Sequence, residues 1–282
     1  GVVSSATELT ILASVIDSNV AFDCCGGILV ENTVALLVAE SSISRNSARS
    51  SSGGLSISKS VNITVKFCDF VENKVSAGRG GALTLSESQE IIVRTNSFVQ
   101  NSGDSGGGMH VAASTQVVVN GSVFTENIAQ VGSGSAIYVR ASALSMFQND
   151  FSGNEAPEGG GTVFWTHASG MQEPVGLQSE NVFNASNTAG YGPRWATEAH
   201  HTKLLGDKEV YIIEDYTAYA PPVGVTLRDI YGQLVATDSS SEATVSVPPT
   251  EGTSCDDEPG FVSGSTTSSV TNGTAVFAAL EP

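Results

Sequence analysis

Phe70-Val71-Glu72-Asn73-Lys74-Val75-Ser76-Ala77-Gly78-Arg79-Gly80-Gly81-Ala82-Leu83-Thr84-Leu85 is one copy of a pattern that recurs every 26 to 28 residues. Its asparagine returns as Asn19, Asn46, Asn73, Asn101, Asn127 and Asn154. Three residues before each stands Ile16, Ile43, Phe70, Phe98, Phe124 or Phe151, and seven or eight after comes Gly27, Gly54, Gly81, Gly108, Gly134 or Gly161. An alternating apolar pair follows each glycine, from Ile28/Val30 to Val163/Trp165, and a second precedes each Phe or Ile, from Leu9/Ile11 to Leu144/Met146. Five positions in register through six repeats are a structural period.

Alternation of period two marks strands with one buried face, and the Asn and Gly positions are expected at corners needing positive φ. No helical pattern of ten or more residues separates the strands, so neither a βαβ unit nor a leucine-rich repeat fits. A β-solenoid remains. Stacking at ~4.8 Å per coil makes an internal ladder of Leu9, Leu36, Ile63, Ile91, Val117 and Leu144, a Phe/Ile ladder beside it and a polar Asn ladder at a corner. The seventh repeat departs from the pattern: its nearest asparagine, Asn187, comes one residue late, so residues 167–197 are expected to form an irregular terminal coil.

Phe70-Val71-Glu72-Asn73 with Gly80-Gly81-Ala82-Leu83 resembles the right-handed parallel β-helix repeats of polymorphic outer-membrane proteins and other large extracellular proteins. Asn187-Thr188-Ala189-Gly190-Tyr191-Gly192 is similar to the run that closes such regions. The resemblance covers about residues 8–197. It implies a fold used mainly for surface display and adhesion.

Composition narrows the function. With 12 Lys+Arg against 29 Asp+Glu the formal charge is −17, which repels nucleic-acid backbones and anionic lipid. Charged residues make up 15%, below the usual ~25%, and 30 glycines in 282 residues exceed the usual ~7%. No apolar run approaches the ~18 residues of a membrane-spanning helix. The start at Gly1-Val2-Val3-Ser4 has neither Met nor a signal pattern and reads as a processed chain or a piece of one.

Beyond Thr197 the period stops. Residues 198–221 read as a connection with one strand, Val210–Ile213, ending in Ala220-Pro221-Pro222. Residues 222–282 offer a strand and return across Val225–Val235, a strand at Ala243–Val247 and an Asn272-Gly273 hairpin. They look like an immunoglobulin-like β-sandwich that follows β-helix repeats, truncated by one or two strands. The solenoid's start near Leu9 likewise lacks a polar capping repeat, leaving an open strand edge.

The chemistry-bearing residues are few. On a β-helix enzyme, carboxylates and cations project from one outward row, here Leu29, Ser56, Thr84, His110, Tyr138 and Phe164. That row has no carboxylate, Arg or Lys, whereas glycoside chemistry wants two carboxylates at one groove. His110 reads as an exposed surface histidine, His200-His201 as a solvated linker, and Asp256-Asp257-Glu258 as an acidic turn with the oxygen ligands for Ca²⁺. No other cofactor is expected. Asn62, Asn120, Asn184 and Asn272 begin Asn-x-Ser/Thr sequons, Asn62 and Asn120 being expected to point outwards. Cys24, Cys25, Cys68 and Cys255 are intermolecular disulfide candidates, with Cys24 or Cys25 favoured, or else small buried residues. Leu37, Ile92 and Val118 form an outward aliphatic row that marks an interface unless a loop or the seventh coil covers it; Leu29, Tyr138 and Phe164 form a second candidate.

These features are read as an extracellular or cell-surface structural protein that is not an enzyme, assembling with copies of itself or other segments of a larger chain into a fibre such as a flagellar-hair filament. The alternative is an adhesin-like module presenting loops to glycan or protein. Behind both stands a polysaccharide lyase or hydrolase, with His110 as a lone base.

Overall fold

A computed structural model of the chain describes residues 2–166, 171–205, 223–244, 263–264, 267–277 and 280–281. The chain forms two compact units, residues 1–198 and 199–282. In the first, each coil crosses four parallel sheets in turn. Sheet I has eight strands from Val2–Ser4 to Trp195–Ala196, and sheet II six from Glu8–Leu12 to Leu144–Phe147. Sheet III has seven from Val15–Asp17 to Val182–Phe183, and sheet IV seven from Val20–Cys24 to Thr188–Tyr191.

The register is the one the periodicity predicts. Leu9, Leu36, Ile63, Ile91, Val117 and Leu144 pair across sheet II, and Leu29, Ser56, Thr84, His110, Tyr138 and Phe164 across sheet I. The rings of Phe70, Phe98, Phe124, Phe151 and Phe183 stack with centroids 4.6–5.0 Å apart. That separation is one strand spacing, so each ring stacks on its counterpart in the next coil.

Three corners turn by one device: a residue in the left-handed region, then a ladder residue whose side chain closes the turn. Lys59 (φ 49°), Glu87 (48°) and Ala113 (47°) precede Ser60, Ser88 and Ser114 between sheets I and II. Each serine hydroxyl donates to the carbonyl two residues back at 2.7–2.9 Å and accepts the preceding coil's amide at 3.0–3.2 Å. Ser41, Cys68, Asn96, Ser122 and Asn149 hold the II–III corner. At III–IV, Asn73 donates Nδ2–H to Asn101 Oδ1 (3.1 Å) and to the Ile43 carbonyl (2.7 Å), and this ladder runs from Asn19 to Asn187. A left-handed non-glycine residue costs ~1–2 kcal/mol, which these bonds offset.

The asparagines therefore sit beside the positive-φ position, which falls on Ser18, Arg45, Glu72, Gln100, Glu126 and Gly153. Glycine at positions such as Gly54 answers to space: a Cβ there would come 2.5 Å from the Ala82 carbonyl oxygen and 3.2 Å from the Asn73 carboxamide carbon.

The seventh coil is irregular, as expected. Among the described residues it meets sheet II through the bridge Ser145–Val175, yet Phe183 and Asn187 rejoin their ladders. At the opposite end Leu9, Ile11 and Ile16 are half-buried, while Leu36, Val38 and Ile43 behind them are at most 3% exposed.

In the second unit His201–Leu204 pairs antiparallel with Val223–Arg228, and that strand with Thr274–Phe277. Part of the segment read as a connection thus belongs to a sheet. Asn272 (φ 49°) and Gly273 (φ 70°) make the tight turn the dipeptide foretells. Two further pairs join Glu242–Thr244 to Thr267–Ser269 and Ser263–Gly264 to Leu280–Glu281. These are small antiparallel sheets only, short of the immunoglobulin-like sandwich expected for residues 222–282. The strand expected at Val210–Ile213, Cys255 and Asp256-Asp257-Glu258 lie outside the described residues.

Candidate functional site

The outer face of sheet I is not open. After each Asn the chain takes eight to ten residues, through sheet IV and a turn, to reach sheet I. Turns such as that of Arg79 lie over the outer row, where the Arg79 carbonyl accepts from Thr84 Oγ1 and its guanidinium meets Tyr138. They stack on one another: the Asp104 amide donates to the Gly78 carbonyl (2.7 Å) and that of Gly132 to the Asp104 carbonyl (2.9 Å). Ser133 Oγ donates to Glu158 Oε2 at 3.3 Å. Gly80, at φ +76°, releases one such segment; a Cβ on it would lie 2.2 Å from Thr84 Oγ1 and 3.2 Å from His110 Cβ.

Between these loops and the strands lies a cleft of about 970 Å³. Thr84, His110, Tyr138 and Phe164 form its floor, Arg79, Asp104 and Glu158 come from the loops, and Thr166 and Glu198 close its far end. At one strand spacing per coil, the floor from Thr84 to Phe164 runs ~14 Å. Tyr138 packs between Phe164 (centroids 5.5 Å) and His110 (5.6 Å), with the Arg79 guanidinium 5.2 Å from its ring centroid.

His110 corrects the sequence reading. It is 9% exposed rather than a surface residue, because the corner loops cover it. Desolvation, with smaller contributions from the Arg79 and Arg140 charges, pulls its pKa down from 6.5 to about 3. The imidazole is neutral at physiological pH. Phe164, expected at an exposed interface, is 6% exposed and belongs to the cleft, whereas Leu29 and Tyr138 are half-buried.

Among the described residues, three buried side-chain atoms lack a hydrogen-bond partner: His110 Nε2, Thr166 Oγ1 and Glu198 Oε2. All three residues line this one cleft. An unsatisfied buried polar group costs about 1–3 kcal/mol, so three converging on one concave site are open to the polar atoms of water or of a ligand. The carboxylates lie outside the outward strand row; for Asp104 and Glu158 the sequence signal is the eight-to-ten-residue polar stretch before each sheet I strand, longer than a tight corner, whereas Glu198 follows the last such strand and carries no periodic signal.

The other candidates are scattered. On sheet II, Ile92 is 44% exposed while Leu37 and Val118 are half-buried. Val118 shares a hollow with Met171 and Val175, so the seventh coil flanks it. Asn62, Asn184 and Asn272 are exposed and Asn120 half-buried. Cys24 is exposed and Cys25 is 8% exposed. Cys68, at 1%, donates its thiol to the Lys66 carbonyl (3.2 Å), which leaves a partner chain's sulfur no approach. His200 and His201 are exposed. Among the described residues no group of three or more His, Cys, Asp or Glu could hold a metal, and no helix is long and apolar enough to cross a membrane.

Four stacked parallel sheets turning through polar ladders, with a cleft on one face, define a parallel β-solenoid. The chain belongs to the family described as the right handed beta helix region, whose model matches residues 1–173. No curated protein and no solved structure matches it.

Proposed function

We propose that the solenoid is a rigid extracellular binding module whose sheet I cleft holds a glycan. The observation that carries this reading is the convergence on one cleft of the three buried polar atoms that lack a partner among the described residues. A stalk whose only task is to stack has no need to leave such atoms unpaired there, since each costs stability. The cleft's length along the coils suits a chain of linked polar units, and a sugar's hydroxyls both donate and accept. Exposed sequons at Asn62, Asn184 and Asn272 fit a cell-surface setting, with residues 222–282 as an immunoglobulin-like module. The test is calorimetric titration of the full chain with oligosaccharides. Saturable binding that Tyr138→Ala abolishes supports the reading, and chain cleavage during titration would make the module an enzyme.

A second reading, a segment of a self-assembling filament, is favoured by the outward row of sheet II, where Ile92 is 44% exposed beside half-buried Leu37 and Val118. Sedimentation across a concentration series tests it, with Ile92→Ser lowering the association.

A further inference from the structure

We infer that the cleft selects neutral or amine-bearing sugar chains and rejects uronates. This rests on the glycan-binding reading and adds the charge of the ligand. Among the described residues the charged groups lining the cleft are Asp104, Glu158 and Glu198 against Arg79, which is engaged on the Tyr138 ring, while Arg140 acts on His110 and Tyr138 from outside the lining. His110 adds no positive charge, since burial keeps its imidazole neutral. A ligand carboxylate therefore meets an excess of like charge in a partly desolvated site, where repulsion exceeds its value in water.

The orphaned atoms point the same way. Glu198 Oε2 can only accept, so its partner must bring a donor, a hydroxyl or an ammonium group. Thr166 Oγ1 and a neutral His110 Nε2 are each satisfied by a hydroxyl, which serves as donor or acceptor. A carboxylate oxygen has no hydrogen to offer Glu198. An ammonium group gains most, because it supplies both the donor and the opposite charge.

The experiment uses the full chain on an array of immobilised oligosaccharides of three classes: neutral, glucosamine-containing and uronate. Hits are followed by calorimetry on the chain and on its Glu198→Gln and Thr166→Val variants. The expected result is binding confined to neutral and glucosamine-containing chains, with uronates at least about tenfold weaker. Glu198→Gln should weaken a glucosamine tetrasaccharide about tenfold or more while thermal unfolding stays unchanged, and added salt should weaken it further. Uronate binding of equal or greater strength that both variants reduce overturns the charge selectivity and leaves the cleft as a glycan site. No binding by any class, or binding that both variants leave untouched, overturns the glycan-binding reading and this inference with it.

Discussion

The guanidinium of Arg79 lies 5.2 Å from the ring centroid of Tyr138, joining a corner loop of one coil to a strand two coils further on. Arg79 is exposed, so this cation–π contact is worth ~0.5–1 kcal/mol. Arg79→Ala should leave global stability within ~1 kcal/mol of the parent. It should speed amide exchange locally at Gly80 and Asp104, where the loop pairs with its neighbour, while sheet II amides keep their protection. Exchange followed by NMR reads both.

The asparagine ladder should respond according to depth. Asn101→Ala leaves the Asn73 backbone amide without its acceptor, removes one of the two bonds made by the Asn73 carboxamide and one of the two accepted by Asn127 Oδ1, and takes a donor from the Phe70 carbonyl, all buried. With the amide and one carboxamide N–H orphaned at about 1–3 kcal/mol each, a loss of ~2 kcal/mol or more is expected. Asn19→Ala, at the exposed end, should cost under ~1 kcal/mol. Urea midpoints of the two variants provide the comparison.

His110 sets a pH dependence. Its folded-state pKa of about 3 lies below the ordinary 6.5, so below pH 6.5 the unfolded chain takes a proton that the folded chain refuses. Stability from this group is therefore fully present above pH 6.5 and lost as pH falls towards 3, by up to ~1.4 kcal/mol per unit. Arg79 and Arg140 act on the imidazole in the same direction as burial. In His110→Phe the slope between pH 6.5 and 4.5 should flatten, because the carboxylates whose pKa values are lowered, Asp17 and Asp238, lose their contribution only below 3.8. Denaturant unfolding at a series of pH values measures it.

Thiol chemistry should separate the cysteines. Burial, then the neighbouring Cys24, raises the Cys25 pKa to about 11, and burial raises that of Cys68. In a Cys255→Ser background a thiol reagent at pH 8 should label Cys24 rapidly and the other two only on unfolding. Any disulfide-linked dimer should vanish in Cys24→Ser and persist in Cys68→Ser. The Cys68→Ser change itself should be nearly neutral, because serine holds the equivalent corner at Ser41 and Ser122.

The solenoid was legible because stacking enforces identity: a Phe must lie on a Phe-sized neighbour and an asparagine on a hydrogen-bonding one. The period therefore prints the register of sheets I and II directly. The conformation at the corners was less legible. Left-handed φ falls on Lys59, Glu72 or Gln100, residues with no intrinsic preference for it, because their ladder neighbours impose it. The cleft was least legible, since Asp104 and Glu158 reach it from loops outside the alternation, and Glu198 stands at the far end of the coil stack. Burial of His110 likewise depends on loops that carry no periodic signal.

The segments that wall the cleft also differ in length. From Asn46 to Leu55 is nine residues, from Asn73 to Leu83 ten, from Asn101 to Met109 eight, yet from the Phe or Ile to the Asn is three in each of the first six coils. Most of the change in repeat length is absorbed in that segment, where the ladders do not feel it. The lining of the cleft can thus be rewritten by adding or removing residues at one address per coil, with the framework kept intact, which makes the same segment the place to graft a new loop.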